Sequence, residues 1–147
     1  MTYNILEIIG DMAGYEFIII TILSFANDYK LIIVYLFGIL LNHILNNNIL
    51  GYILRKNNKL FGNIIPSGHF QSMAFTFVFY ILTHTTQFIL NHKYILYLYA
   101  FIAFCTLNNC INFDYHTKID IIVGIIFGSL FSYLYVNFSK LILKYME

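Results

Sequence analysis

Long apolar runs broken by short polar clusters organise this chain from end to end. The first run covers about Met12 to Ala26, with an amphipathic lead-in from Tyr3, and stops at the turn-forming Asn27-Asp28-Tyr29. A second, from about Lys30 to Leu54, ends in Arg55-Lys56-Asn57-Asn58-Lys59, a cluster too costly to hold in hydrocarbon. The third is expected to start at Pro66 and reach about Leu90, the fourth to cover Tyr94 to about Leu107, and the fifth Lys118 to about Leu143. The joints at Asn91-His92 and from Asn108 to Tyr115 are short. Crossing about 30 Å of hydrocarbon takes roughly 20 mostly apolar residues. The pattern therefore predicts an all-α, integral membrane helical bundle of about five transmembrane helices, a single domain over residues 1–147.

Connectivity gives the first functional expectation. Helix two ends and helix three begins on one membrane face, and helix four ends and helix five begins on that same face. Pro66-Ser67-Gly68-His69 and His116-Thr117-Lys118-Ile119-Asp120 therefore meet on one side. Lysines and arginine do not orient the bundle, because Arg55, Lys56, Lys59 and Lys118 on that face balance Lys30, Lys93, Lys140 and Lys144 opposite.

Composition narrows the class. With 60% hydrophobic and 10% charged residues and a mean hydropathy of +0.74, the chain lies far from the roughly 45–50% apolar and 25% charged of a soluble domain. It reads as a multi-pass protein of the bilayer, with no soluble appendage. A net charge of +1 and a single arginine, Arg55, exclude an electrostatic grip on nucleic acid. Met1 to Tyr15 carries Glu7 and Asp11 and has no basic lead, so insertion is expected to rely on the spans rather than on a cleaved signal. Cys105 and Cys110 suit neither a redox pair nor a zinc ribbon and are expected to be buried thiols. His84 and His92 flank the far end of helix three as interfacial residues, and no spacing makes a metal site. Asn42 and Asn46 share a helical face suited to hydrogen bonds between helices. The many Tyr and Phe form an aromatic belt, some of them near the motif face and able to line a groove for a lipid tail.

The chemistry lies in the two motifs. Proline is favoured at the first helical position, so Pro66 is expected to open helix three and leave the amides of Ser67, Gly68 and His69 unpaired. Those amides and the helix dipole make an anion site. Ser67 adds a hydroxyl donor, Gly68 allows close approach, and His69 stands at the rim. His116 and Asp120 are four apart, so on a helical turn the carboxylate accepts a hydrogen bond from one imidazole nitrogen and supports the cation formed when the other attacks.

Together these residues resemble the type 2 phosphatidic acid phosphatase superfamily, whose relatives include bacterial acid phosphatases, polyprenyl diphosphate phosphatases and vanadium haloperoxidases. Pro66 to His69 matches that family's second motif, PSGH, in full. Asn109 to Asp120 aligns with its third, SRxxxxxHxxxD, and Gly124 falls where relatives often carry glycine. The resemblance implies a membrane lipid phosphate as substrate and a two-step displacement without metal or cofactor. In it His116 would attack phosphorus, Asp120 would hold the ring, and His69 would protonate the leaving oxygen and then activate water. Ser67 and Gly68 would bind the equatorial oxygens.

The cationic half departs from the family. Its first motif, KxxxxxxRP, finds no match: with Arg55 in the arginine place, Asn48 and Lys56 stand for lysine and proline, and with Asn46 in the lysine place, Ile53 stands for arginine. The Ser-Arg of the third motif has become Asn109-Cys110. Charged hydrogen bonds contribute about 1.5 to 3 kcal/mol each, so two losses correspond to roughly two to four powers of ten in rate. Lys118, Lys56 and Lys59 lie near the same face as point charges, without the guanidinium fork. Three readings follow: a lipid phosphate phosphatase using Arg55 and Lys118 as phosphate-binding cations, a catalytically impaired relative that binds lipid headgroups or a membrane partner, and a small channel or envelope protein.

Overall fold

The computed structural model describes residues 5–50, 66–113 and 116–145. Their secondary structure is helical: α1 (Ile5–Ser24), α2 (Tyr29–Ile44) continuing into a π-helical turn (Leu45–Leu50), α3 (Gly68–Thr83), the short α4 (Thr86–Asn91), α5 (Lys93–Asn112) and α6 (Lys118–Tyr145). Caps set several of the ends. Asp28 accepts from the Leu31 amide at 3.1 Å to open α2, and Thr85 accepts from the Phe88 amide at 3.2 Å to open α4. The third apolar run is thus two helices rather than one reaching Leu90, because His84 is extended (φ −89°, ψ 149°) and breaks it before Thr85. The fourth run is longer than its apolar stretch suggests and carries Asn108, Asn109 and Asn112 inside α5.

Three helical stretches are long and apolar enough to cross a membrane unaided: Tyr29–Asn48, Lys93–Asn112 and Lys118–Leu141. The other two main helices differ for physical reasons. α1 carries Glu7, Asp11 and Glu16 in its 20 residues. α3 has 16 residues, about 24 Å at 1.5 Å per residue, and its polar Gln71 and Thr76 are completely buried. Most of α3 is enclosed by protein, with Phe77 and Ile81 facing outward; it packs most extensively on α6 and also on α1 and α2, while α1 packs on α5. Both buried cores draw on it. Phe70, Met73 and Tyr80 join Phe17, Tyr99 and Ile102 in one, and Phe75 and Phe79 join Tyr35, Tyr135 and Val136 in the other. The whole is an all-α membrane bundle.

Small residues and polar ties replace the hydrophobic drive that lipid cannot supply. A methyl group added at Gly124 would lie 2.7 Å from the Ser67 carbonyl oxygen, and one at Gly128 would overlap the Gln71 carbonyl, so these glycines let α6 lie directly on the α3 backbone. Across the bundle Thr21 bonds Tyr99 at 2.6 Å, Tyr35 bonds Thr76 at 2.9 Å, and the Gln71 amide donates to Asn42 Oδ1 at 3.0 Å. Asn42 is therefore a helix-to-helix tie, as its place on α2 suggests.

Candidate active site

Pro66 lies outside α3. Ser67 (φ −65°, ψ 115°) is the residue from which the helix starts, and Gly68 is its first member. This corrects the expectation that Pro66 opens the helix with the Ser67 amide free. That amide donates to the Asp120 carbonyl at 3.1 Å, because Gly124 lets the start of α6 press against this turn. The open donors move one residue on: Gly68, His69 and Phe70 hold the first-turn amides for which a helix has no carbonyl. Ser67 is fully buried, and its Oγ has no hydrogen-bond partner among the described residues. The bond from Ser67 to Asp120 also joins the two motifs directly.

His116 lies in the bend before α6, not on a helical turn, so the i,i+4 geometry expected for it and Asp120 does not hold. Asp120 Oδ2 instead accepts from the Thr117 amide at 2.9 Å and the Thr117 hydroxyl at 2.8 Å. Thr117 Oγ1 in turn accepts from the Asp120 amide at 3.2 Å, a reciprocal cap of the helix start. Asp120, itself buried, still acts on His116 as a charge. Burial pushes the His116 imidazole below its ordinary value, Asp120 opposes that, and the neighbouring His69 adds to the lowering.

His69 and His116 line one cavity of about 410 Å³ together with Gly10, Asp11, Thr106, Asn109 and Cys110. Helix connectivity alone predicted this meeting of the motifs. Asp11 and the role of Asn109 were not foreseen. Asn109 Nδ2 donates to the Glu7 carbonyl at 2.8 Å and to Asp11 Oδ1 at 3.0 Å. Both partners are acceptors, which settles the orientation of the amide. Its Oδ1 is buried without a donor among the described residues. The asparagine in the serine place of the third motif is thus a tie between α5 and α1 rather than a phosphate donor. A methyl at Gly10 would fall 2.5 Å from Asn109 Nδ2, so that glycine makes the tie possible. The legible signal was the presence of acids, Glu7, Asp11 and Glu16, inside a largely apolar helix.

On the other side of His69 lies a second cavity, of about 460 Å³, between α1, α2 and the start of α3. The π-helical turn brings Asn46 and Asn47 to it. A methyl at Gly68 would stand 3.0 Å from Asn46 Nδ2, whereas Asn48 is exposed. Of the two asparagines weighed for the lysine of the first motif, Asn46 is therefore the one beside the site. Lys118 is exposed at the first position of α6 and is not among the residues lining the His69–His116 cavity. Arg55, Lys56 and Lys59 lie outside the described residues.

A family model described as the PAP2 superfamily matches residues 42–143. No curated protein matches the chain, and no solved structure does.

Proposed function

The chain belongs to the PAP2 superfamily, the type 2 phosphatidic acid phosphatases and their relatives, and from that premise we propose that it is a membrane phosphatase of lipid phosphate monoesters or diphosphates such as phosphatidate or a polyprenyl diphosphate. One observation carries the reading: two histidines from separate helix starts line a single cavity. In the first step a neutral His116 nitrogen attacks phosphorus, the P–N bond forms as the P–O bond to the lipid breaks, and protonated His69 gives its proton to the departing oxygen. In the second, water attacks phosphorus, His69 takes the proton, and the P–N bond breaks to release phosphate. Asp120 supports the imidazolium, and the first-turn amides at Gly68 and His69 receive the oxygen charge that builds up at phosphorus. Ser67 and Gly68 shape that turn, Arg55 is the cation offered to the phosphate, and Lys118, exposed outside the cavity lining, adds positive charge only at the approach to it. No metal or cofactor enters this scheme.

A bilayer setting favours a lipid substrate, because a site at the ends of spans takes a headgroup while the chains stay in hydrocarbon. The test is phosphate release by the purified protein, with His116→Ala reducing it to background; equal release from both forms overturns the catalytic claim. A second reading, a relative that binds headgroups without turnover, is favoured by one observation: Asp11 puts a carboxylate in the cavity from which the guanidinium of the third motif is missing. Vanadate-sensitive turnover decides against it.

A further inference from the structure

Asp120 bonds to backbone on both sides of the candidate site. Its carbonyl accepts from the Ser67 amide at 3.1 Å, at the turn that opens α3. Its Oδ2 accepts from the Thr117 amide at 2.9 Å, and that N–H belongs to the peptide bond joining His116 to Thr117. The carboxylate thus grips the backbone of the nucleophile itself. The peptide is planar and turns only about its flanking dihedrals, so fixing this plane fixes how His116 leaves α6.

Thr117 Oγ1 holds the carboxylate in that grip. It donates to Oδ2 at 2.8 Å and accepts from the Asp120 amide at 3.2 Å. Capping a helix start takes only the second kind of bond. At α4, Thr85 accepts from the Phe88 amide, and the phenyl side chain of Phe88 has no oxygen to return. At α6 the residue in the same place is an acid, and its reach back to the threonine joins cap to nucleophile. Thr117 is exposed and Asp120 buried, so a methyl in place of the Thr117 hydroxyl leaves the packing of the bundle alone.

We infer that Thr117 is a positioning residue for His116: its hydroxyl locks the Asp120 carboxylate onto the His116–Thr117 peptide and, through the Asp120 carbonyl, sets that peptide against the Ser67 turn. This rests on the phosphatase reading above. It gives Asp120 a grip on His116 through the backbone, besides its charge.

The test is phosphate release from phosphatidate in mixed detergent micelles by the full chain. Thr117→Val is expected to lower kcat about tenfold with KM within about twofold, the signature of a misplaced reacting group. Thr117→Ser keeps the hydroxyl and should hold kcat within about threefold of the wild type. The acidic limb of the rate profile should stay in place in Thr117→Val, because the Asp120 charge remains beside His116. A limb that moves would assign Thr117 to the electrostatics and overturn a positioning role. Thr85→Val removes a cap at the other end of the bundle and should lower the thermal midpoint without touching kcat. Unchanged kcat in Thr117→Val overturns the proposal, as does an equal loss in Thr85→Val. If the wild type releases no phosphate, the phosphatase reading has failed and the lock is judged by hydrogen exchange at the amide of residue 117. Slow exchange in the wild type and Thr117→Ser with fast exchange in Thr117→Val supports the lock. Equal rates in the wild type and Thr117→Val overturn it.

Discussion

Two pairs of histidines stand at opposite ends of the bundle, and the pairs are held in opposite ways. At the end away from the motifs, His84 Nε2 bonds Ser24 Oγ at 3.1 Å and His92 Nδ1 meets the Phe88 carbonyl at 3.0 Å. Their rings stack in a column, His84 on Phe25 with centroids 4.7 Å apart and Phe88 between His84 and His92 at 4.1 Å from each. At the motif end, His69 and His116 line a cavity, and no ring nitrogen of either has a hydrogen-bond partner among the described residues. A histidine whose nitrogen and faces are already engaged is part of the packing. One that offers its nitrogens to a cavity is available to a substrate, and burial keeps His116 in the neutral form that attacks. The far pair, expected to be merely solvated at the interface, is instead an aromatic clasp between α1 and the α3–α4 joint.

The sharpest way to break this contrast is to exchange the fates of the two pairs. His69→Gln is expected to lower kcat by about 10²- to 10⁴-fold, the range for loss of a general acid–base. His92→Gln should leave kcat unaltered and lower only the thermal midpoint, read by circular dichroism alongside phosphate release. Comparable kinetic losses from both would erase the distinction.

A smaller effect comes from the charge behind His116. Its activity requires the neutral ring, so the acidic limb of the rate profile lies at the pH where His116 takes up a proton. Burial lowers that pKa and Asp120 raises it. Asp120→Asn removes the raising influence, so the pKa falls further, the neutral form persists to lower pH, and the acidic limb moves down. At the same time kcat drops severalfold, because the imidazolium formed on attack loses the support of the neighbouring carboxylate. A limb that moved upward would show that Asp120 does not act on this ring as a charge.

The smallest expected effect concerns Asp11, which repels the anion that the cavity would hold. Asp11→Asn keeps an oxygen to accept from Asn109 and removes the charge. It should lower KM for a dianionic phosphate ester about two- to fivefold, in keeping with about 0.5–1 kcal/mol for a partly solvated charge pair. A raised KM would mean that Asp11 binds substrate instead.

Apolar runs and turn residues made the helices legible, and PSGH with the later His and Asp made the chemistry legible, because both depend on residues close together in the chain. Helix starts were less so. Pro66 signals an approaching helix, but whether the helix takes in Pro66 or begins at Gly68 depends on the Asp120 carbonyl that claims the Ser67 amide, a partner 53 residues away. The break at His84 was similarly hidden, since nothing local forbids a helix there and its ring is held by Ser24 at the end of α1 and Phe25 just past it.

By itself, then, the sequence determined a helical membrane protein with two motifs on one face. A span needs only enough consecutive apolar residues, and a face follows from counting crossings. Only the tertiary structure decided which groups point into the cavity. Asn109 bonds Glu7 and Asp11 across about a hundred residues of chain, Gly128 accepts the Gln71 backbone, and His69 lines two cavities at once. These relations depend on how far each helix is rotated and shifted against its neighbour. That is set by where small residues let backbones meet, a sum over all the contacts of the bundle that no single stretch of sequence contains.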